Sequence, residues 1–307
     1  MLDYDAVIIG GGPAGLTAGL YLSRGRYRTL LIDKEGFGGQ VKNVEWIENY
    51  PGFSRGVAGP QLASEMLSQA TSYGLQLEMA EVTNIELYSG SRCLQLADGR
   101  SYTAEAVIIA GGCRRRKLGV PGESEFEGRG VFGCALCEGD QFSGGIVAVC
   151  GGGDTGLTEA MYMTKLVSKV ILLEAEPKLT ATVVLQERAR NNQKLEIHCG
   201  AKVTTILGNT NVEAIELEDV ATQQRSTLRV DGVLVDVGME PNTEILETGV
   251  LLDSQRRVCV NEKMETSVPY VFAAGDIRSG SLGQVVTAVG DGATAAIYIQ
   301  RLLQQES

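Results

Sequence analysis

The sequence has few basic residues, a single histidine and no long apolar run. Its 307 residues hold 27 Lys and Arg against 38 Asp and Glu, which gives a formal net charge of −11. An acidic surface disfavours nucleic acid and anionic membranes as partners. No apolar run reaches the ~18 residues that span a bilayer, and no basic leader precedes the first apolar segment. These absences predict a cytoplasmic protein without a membrane partner.

The seven cysteines do not form the pattern of a secreted disulfide framework, because their number is odd and most lie in apolar stretches. Cys134 and Cys137 form a Cys-x-x-Cys pair, which is typical of a redox dithiol or of half a zinc site. Zinc needs four ligands, and the sequence offers only His198 and no second Cys-x-x-Cys pair. We therefore expect no metal site and a thiolate that attacks disulfides.

The scarcity of histidine also limits the acid–base chemistry available to the dithiol. His198 lies in a predicted strand and is expected to be structural. Glu138, next to Cys137, is the nearest carboxylate and the candidate acid. The alternative is that Glu138 is a solvated residue at a helix start.

Glycine is abundant, with 39 residues, and it is concentrated in two glycine-rich turns. A pattern of strand, turn, helix and strand spans residues 5–33 and occurs again over residues 145–174. It predicts helices from Leu16 to Arg24 and from about Leu157 to Leu166. This internal repeat indicates two βαβ units.

Each turn carries the dinucleotide fingerprint Gly-x-Gly-x-x-Gly between a strand and a helix. The first glycine permits a tight turn, the second lets a pyrophosphate approach, and the third lets the helix pack on the strand. In both copies an acid, Asp33 or Glu174, follows the middle glycine by 21 positions, where it can bind a ribose diol. Two fingerprints predict either two dinucleotide sites or one site and one structural relic. The candidate residues are Gly10, Gly12, Pro13, Ala14, Gly15 and Asp33 in the first copy, and Gly151, Gly153, Asp154, Thr155, Gly156 and Glu174 in the second.

The segments around the two copies predict the domain organisation. The basic run 114–117 and the segment 241–246 are the expected junctions between domains. The predicted fold is α/β, with two Rossmann-like three-layer dinucleotide-binding domains, the second inserted into the first. The first would comprise residues 1–114 and 245–307, and the second, carrying the Cys-x-x-Cys pair, residues 115–244. Asp98-Gly99 predicts a hairpin turn, and an apolar strand is expected from Tyr270 to Ala274.

Further segments complete a pattern that is known from one family. They are Gly38-Gly39-Gln40, Glu48 to Gly52, and Gly275-Asp276, besides the two fingerprints and Cys134 to Cys137 with Gly139. With these motifs the chain resembles the low-molecular-weight thioredoxin reductases over essentially its whole length. A Cys-x-x-Cys pair shortly before the second glycine turn is specific to this family, since larger disulfide reductases carry their cysteines near the N-terminus.

The resemblance implies FAD at the first fingerprint, with contributions from Gly39, Gln40, Asn49, Gly275, Asp276 and Gln284. It implies that Cys137 faces the flavin, that Cys134 attacks the target disulfide and that Glu138 stands at the family's acid position. It further implies a homodimer, a second domain that rotates, and thioredoxin or another small disulfide protein as the partner.

The sequence departs from the family where a nicotinamide dinucleotide would bind. The family's NADPH enzymes carry a histidine and two arginines after the second βαβ strand, and these arginines hold the 2′-phosphate. Here the stretch contains Glu174 and Glu176, whose negative charge opposes a phosphate. Nearer the flavin, Gly283 stands where an arginine often precedes the family's glutamine. We therefore expect poor use of NADPH.

Three electron donors remain open. NADH or a second FAD fits Glu174, because both have a free ribose diol that a carboxylate can bind. Reduced ferredoxin needs no dinucleotide. The acidic surface disfavours an acidic ferredoxin, although the basic run 114–117 offers a local basic patch. Two other functions are also considered: a flavin-linked ferredoxin–NADP reductase of similar architecture, and a non-catalytic redox or nucleotide sensor. The intact pair of Cys134 and Cys137 argues against both.

Overall fold

Two mainly parallel sheets, each built around one of the glycine turns, organise the chain. The computed structural model describes residues 2–88, 90–246 and 249–305. The chain divides into unit 1, residues 1–114 with 240–307, and unit 2, residues 115–239. The predicted α/β fold with one Rossmann-like unit inserted into another is confirmed. Which nucleotide each unit binds stays a prediction.

The N-terminal part of unit 1 supplies six strands and two helices. In chain order these are β1 (Tyr4–Ile9), α1 (Pro13–Arg24), β2 (Thr29–Asp33), a 3-10 turn (Gly39–Asn43), α2 (Gly59–Thr71), β3 (Gln76–Met79), β4 (Val82–Tyr88), β5 (Ser91–Leu96) and β6 (Ser101–Ile109). Their sheet has the order β3-β2-β1-β6-β5-β4. Strands β5 and β6 pair antiparallel, so the predicted turn at Asp98-Gly99 joins a hairpin.

Unit 2 follows strand β7 (Cys113–Arg115) and contains a second parallel sheet. Its elements are β8 (Val131–Phe132), α3 (Ala135–Glu138), a 3-10 turn (Gly139–Phe142), β9 (Ile146–Cys150), α4 (Asp154–Met163), β10 (Lys169–Glu174), α5 (Val183–Arg190), β11 (Leu195–Cys199), β12 (Ala201–Gly208), β13 (Val212–Asp219), β14 (Arg225–Arg229) and β15 (Gly232–Val235). The parallel sheet has the order β11-β10-β9-β15-β8, and β12-β13-β14 form an antiparallel sheet. One core lies on the side of α4 and the other between the two sheets, which gives the expected three layers.

The chain then completes unit 1 through four further elements. These are β16 (Met239–Pro241), a 3-10 turn (Glu244–Leu246), β17 (Val271–Ala273) and α6 (Val285–Gln305). Strand β17 pairs in parallel with β6. Helix α6 approaches α1 so closely that a methyl group on Gly292 would lie 2.1 Å from the carbonyl oxygen of Ala14.

The strands at the centre of each sheet are apolar because both of their faces are covered. Ala6, Val7 and Ile8 of β1 are fully buried, as are Val147 and Val149 of β9. This double burial is typical of parallel sheets, whose connecting elements cover the faces. Within residues 2–88, 90–246 and 249–305, none of the helices has both the length and the hydropathy that crossing a bilayer requires.

The bounds of three predicted elements, two helices and one strand, are corrected by the structure. The helices after the glycine turns begin at Pro13 and Asp154 and not at Leu16 and Leu157, because the middle glycine already caps each helix. Pro13 suits this start, since its fixed φ matches the first helical turn. The second of these helices also ends earlier, at Met163. The predicted strand 270–274 shortens to Val271–Ala273, because Tyr270 has a φ of 62°, outside the β region.

One buried carboxylate fixes the start of unit 2 and gives a stability test. Glu123 is buried and accepts the backbone N–H groups of Leu118 and Gly119 at 2.8 and 2.7 Å. We expect Glu123→Gln to lower the free energy of unfolding by about 1–3 kcal/mol, because the amide NH2 must face one of these donors. Urea denaturation measures the change. The matched variant Glu125→Gln alters an exposed residue and should stay within about 0.5 kcal/mol of the parent; equal losses in both variants would contradict the assignment.

Candidate functional site

The outer glycines of the first turn are required by the chain's own backbone. Gly10 has a φ of +109°, and a methyl group there would lie 2.3 Å from the carbonyl oxygen of Ala110. A methyl group on Gly15 would lie 1.9 Å from the carbonyl oxygen of Gly10. Both approaches are closer than any side chain allows, so these glycines fix the turn between β1 and α1.

The middle glycine is not required in this way. A methyl group on Gly12 would meet only the Cα of Gly39, at 3.8 Å, and the φ of Gly12 is an ordinary −76°. Gly12 caps α1 without a side-chain hydrogen bond, although the first N–H groups of a helix need acceptors. The space over Gly12 and the helix start with Pro13 and Ala14 therefore suit a pyrophosphate.

Asp33 at the end of β2 closes the same turn. Its Oδ2 accepts the N–H of Gly11 at 2.7 Å, and its Oδ1 accepts the N–H of Glu35 at 2.7 Å. These bonds hold the carboxylate at the carboxyl end of the sheet, where α/β folds bind their ligands. Each oxygen keeps a lone pair that can accept from a ribose hydroxyl.

The second turn repeats this geometry residue by residue. A methyl group on Gly151 would lie 1.9 Å from the carbonyl oxygen of Asp236, and one on Gly156 would lie 2.0 Å from that of Gly151. Gly153 is again open, with only the Oγ1 of Thr180 at 3.8 Å. The outer glycines are thus fixed by the fold, whereas the middle one leaves the start of α4 accessible.

Glu174 takes the place of Asp33 in the second turn. Its Oε2 accepts the N–H of Gly152 at 2.6 Å, and its Oε1 accepts the N–H of Glu176 at 2.9 Å. Asp154 and Thr155 begin α4, and the Oδ1 of Asp154 accepts the N–H of Thr182. The carboxylate of Asp154 therefore holds the segment that follows β10 against the start of α4.

The other predicted cofactor residues of unit 1 contact either one another or a neighbouring residue. The Nδ2 of Asn49 donates to the Oε1 of Gln284 at 2.8 Å. The Nε2 of Gln40 donates to the carbonyl oxygen of Cys113 at 3.2 Å. Asp276, which follows Gly275, accepts the hydroxyl of Ser281 at 3.0 Å. Gly39 lies against Gly12, where a methyl group would come within 2.7 Å of the Gly12 Cα.

A buried ion pair supports Gly275 and was missed in the sequence. Asp291 of α6 is 6% exposed, and it accepts the Nε and Nη2 of Arg278 at 2.7 and 2.8 Å. Its Oδ2 also accepts the N–H of Gly275 at 3.1 Å. The sequence signal that could have revealed this pair is Asp291 itself, an isolated acid in the apolar first half of a helix. A buried charge at such a position needs a partner.

The two cysteines form a disulfide at the start of α3. Cys134 caps the helix, and the N–H of Cys137 donates to the Sγ of Cys134 at 3.1 Å. Cys137 is exposed, whereas Cys134 and Glu138 are half-buried. A helix start of this kind favours a thiolate at its capping residue. His198 is exposed on β11, where its Nε2 lies 2.7 Å from the Oε1 of Glu196.

Comparison with known proteins gives a consistent result. The family model of the pyridine nucleotide-disulphide oxidoreductases matches residues 4–292. The chain is 40% identical over 304 residues to the thioredoxin reductase of Bacillus subtilis, covering 98% of this chain and 95% of that protein. The chain belongs to the low-molecular-weight thioredoxin reductase family. As a member of it, the chain is an FAD-dependent disulfide oxidoreductase.

Solved structures of this family resemble the chain to different degrees. The thioredoxin reductase of Lactococcus lactis superposes with a TM-score of 0.96 at 33% identity, over 99% of this chain and all of that chain. A ferredoxin-flavin thioredoxin reductase from Clostridium acetobutylicum gives a TM-score of 0.53 at 29% identity, with 98% of each chain covered. The name of this second relative contains ferredoxin besides thioredoxin reductase.

The first glycine turn fits the FAD of this family on its own geometry. It offers an open middle glycine, a helix start without a side-chain cap and a fixed carboxylate, as pyrophosphate and ribose require. The individual residue assignments, from Gly10 to Gln284, remain predictions that this geometry supports.

The two kinds of glycine in the first turn give a direct test. Gly12→Ala should change the free energy of unfolding by less than about 1 kcal/mol, because the chain leaves room for the methyl group. FAD affinity should fall about ten- to hundredfold, since crowding by one methyl group costs about 1–3 kcal/mol. The flavin-to-protein ratio after dialysis measures the loss. Gly15→Ala is the control variant, and it should not fold, because its methyl group would overlap the backbone. Normal flavin content in Gly12→Ala would exclude a ligand at Gly12.

Proposed function

We propose that the chain passes electrons from FAD through Cys137 and Cys134 to the disulfide of thioredoxin or another small disulfide protein. FAD bound at the first glycine turn and reduced by the electron donor would supply two electrons. With two protons they break the bond between Cys134 and Cys137 and leave two thiols. The name of the Bacillus subtilis relative supports thioredoxin as the target. We further propose that two chains form a homodimer, as the family resemblance implies.

The second half of the reaction follows from thiol chemistry at the start of α3. The Cys134 thiolate attacks one sulfur of the target disulfide and forms a mixed disulfide. Cys137 then attacks Cys134, which releases the reduced target and restores the disulfide of the enzyme. The N–H of Cys137 that bonds to the Cys134 Sγ stabilises the thiolate. Glu138, the next residue, is proposed as the group that exchanges the proton.

We propose that NADPH is not the preferred donor. The segment after β10 carries Glu174 and Glu176 where a 2′-phosphate needs arginines. Loss of two charge-assisted hydrogen bonds, at about 1.5–3 kcal/mol each, weakens binding roughly a hundredfold or more. The carboxylates add repulsion to this loss.

The open Gly153 supports a second adenine dinucleotide in place of NADPH. No contact of the described chain requires glycine at this position, yet glycine stands there as it does at Gly12. Glu174 is held by the same two backbone bonds as Asp33. A site that repeats the first turn suits NADH or a second FAD, because both keep a free ribose diol.

Reduced ferredoxin is the second candidate donor, favoured by the name of the Clostridium acetobutylicum relative. The basic run 114–117 gives a ferredoxin donor little support, because most of its charges are paired. Arg114 pairs with Glu240 and Glu244. Arg115 pairs with Glu159, and Lys117 pairs with Glu127 at 2.8 Å. Much of the positive charge of the run is therefore compensated by neighbouring carboxylates.

Removing one cysteine tests the electron route. Cys137→Ser should keep FAD bound and block reduction of a target disulfide, because the thiol that resolves the mixed disulfide is lost. Turnover with thioredoxin and the flavin absorbance spectrum measure the two properties. Cys199→Ser, which removes an exposed free cysteine, serves as the control and should retain full turnover. Full activity in Cys137→Ser would exclude the proposed pair.

The donor is identified by anaerobic reduction of the flavin with NADPH, NADH and reduced ferredoxin in turn. A flavin content near two per chain would indicate a second FAD, and a content near one with reduction by NADH would indicate NADH. Glu176→Arg should raise the preference for NADPH over NADH about tenfold or more, because it restores one phosphate contact. Glu187→Arg, an equal charge change at an exposed position of α5, should not. Rapid reduction of the unaltered protein by micromolar NADPH would contradict the proposal.

A further inference from the structure

A buried cluster of charges lies in unit 2 beside the disulfide. Its members are Arg115 at the end of β7, Glu159 on α4 and Asp236 directly after β15, here called the Arg115 cluster. The Nη2 of Arg115 donates to the Oε1 of Glu159 at 3.0 Å, and its Nη1 lies 3.9 Å from the Oδ1 of Asp236. The side chains of Glu159 and Asp236 are only 10% and 6% exposed. Burial at this level strengthens electrostatic effects on neighbouring groups.

One bond connects this cluster to the redox centre. The Oε2 of Glu159 accepts the backbone N–H of Ala135 at 2.6 Å, and this bond is buried. Ala135 is the residue between Cys134 and Leu136, at the first position of α3. Arg115 also passes close to the disulfide loop, since a methyl group on Gly133 would lie 3.3 Å from its Cδ.

The charges of the cluster have opposite effects on a thiolate at the helix start. The Glu159 carboxylate accepts an N–H of the first helical turn, so this N–H is not available to a thiolate. It also places negative charge next to the capping residue Cys134, which disfavours a thiolate there. The Arg115 guanidinium offsets this charge. We propose that Glu159 is a positioning residue for the Cys134–Cys137 disulfide and that the balance between Glu159 and Arg115 sets the acidity and reduction potential of this pair.

Asp236 makes the balance depend on pH. Burial, with a smaller contribution from the Glu159 carboxylate, raises the pKa of Asp236 to about 6, against the opposing effect of the Arg115 guanidinium. Its Oδ2 and the Nη1 of Arg115 are buried and have no hydrogen-bond partner within the described residues. Above this pKa, Asp236 is a second anion that competes with Glu159 for Arg115. Below it, Arg115 compensates Glu159 alone.

This inference rests on the proposed redox role of Cys134 and Cys137, and its test measures the two separately. The holoprotein is reduced with dithiothreitol, freed of it under anaerobic conditions and alkylated with iodoacetamide across pH 5–9. Peptide mass spectrometry resolves the rate at Cys134 from that at the other cysteines. The fraction of disulfide in glutathione buffers gives the relative reduction potential.

Two variants should shift the Cys134 rate in opposite directions. Glu159→Gln keeps an oxygen for the Ala135 N–H and removes the charge, so alkylation below the thiol pKa should be about three- to tenfold faster. Its equilibrium with glutathione should move toward the dithiol. Arg115→Met removes the cation and should slow alkylation by a similar factor. A purely structural role predicts instead that both variants shift the rate in the same direction.

Asp236→Asn gives a third, nearly isosteric variant should either of the others fail to fold. It should accelerate alkylation above pH ~6 and leave the rate unchanged below, because only the ionised carboxyl is removed. Glu187→Gln, an exposed charge change in the same unit, is the control and should have no effect. Rates in Glu159→Gln and Asp236→Asn equal to those of the control would overturn the inference. A pair that does not form a disulfide in any glutathione buffer would instead overturn the proposed function.

Discussion

The close approach of backbone atoms at the two glycine turns is the constraint on which the rest of this structure depends. Gly15 and Gly156 each face a carbonyl oxygen at a distance that no side chain could occupy. This contact sets the position of helix α1 over β1 and of α4 over β9. The start of each helix therefore lies at the carboxyl edge of its sheet, where Asp33 and Glu174 also end their strands. The backbone contacts that pack each helix on its strand thus also place the residues of the candidate nucleotide site.

The two units use this arrangement with different chemistry around it. In unit 1 the turn is accompanied by Asn49, Gln284 and a loop at Gly275 that the Arg278–Asp291 pair holds in place. In unit 2 the corresponding surroundings carry carboxylates after β10 and a disulfide on the short helix α3. The backbone repeats while the side chains diverge, so a nucleotide preference can change without any change in fold.

Buried ion pairs stand next to both functional regions. Removing one partner of such a pair leaves a buried charge and costs about 3–5 kcal/mol, whereas an apolar replacement of both is often tolerated. In each pair the carboxylate also accepts a hydrogen bond from a backbone N–H, that of Gly275 in unit 1 and that of Ala135 in unit 2. These bonds indicate that the ion pairs orient loops and do not only stabilise the core. Arg115 and Glu159 lie 44 residues apart in the chain, and this pairing depends on the packing of α4 against the segment that enters unit 2.

The sequence by itself determined the two βαβ repeats, their glycines, the acids that end β2 and β10, and the Cys-x-x-Cys pair. These features are local, since turn geometry and spacing along a strand or helix depend on neighbouring residues. Helix starts were placed three residues late, because a glycine cap carries no side-chain signal. The tertiary structure alone decided which glycines are required by backbone contact and which are left open. It also decided that the basic run pairs with carboxylates, through Arg114, Arg115 and Lys117, and that Glu159 reaches the disulfide loop. Each of these is a contact between residues distant in the chain, and such contacts exist only once the sheets have brought their edges together.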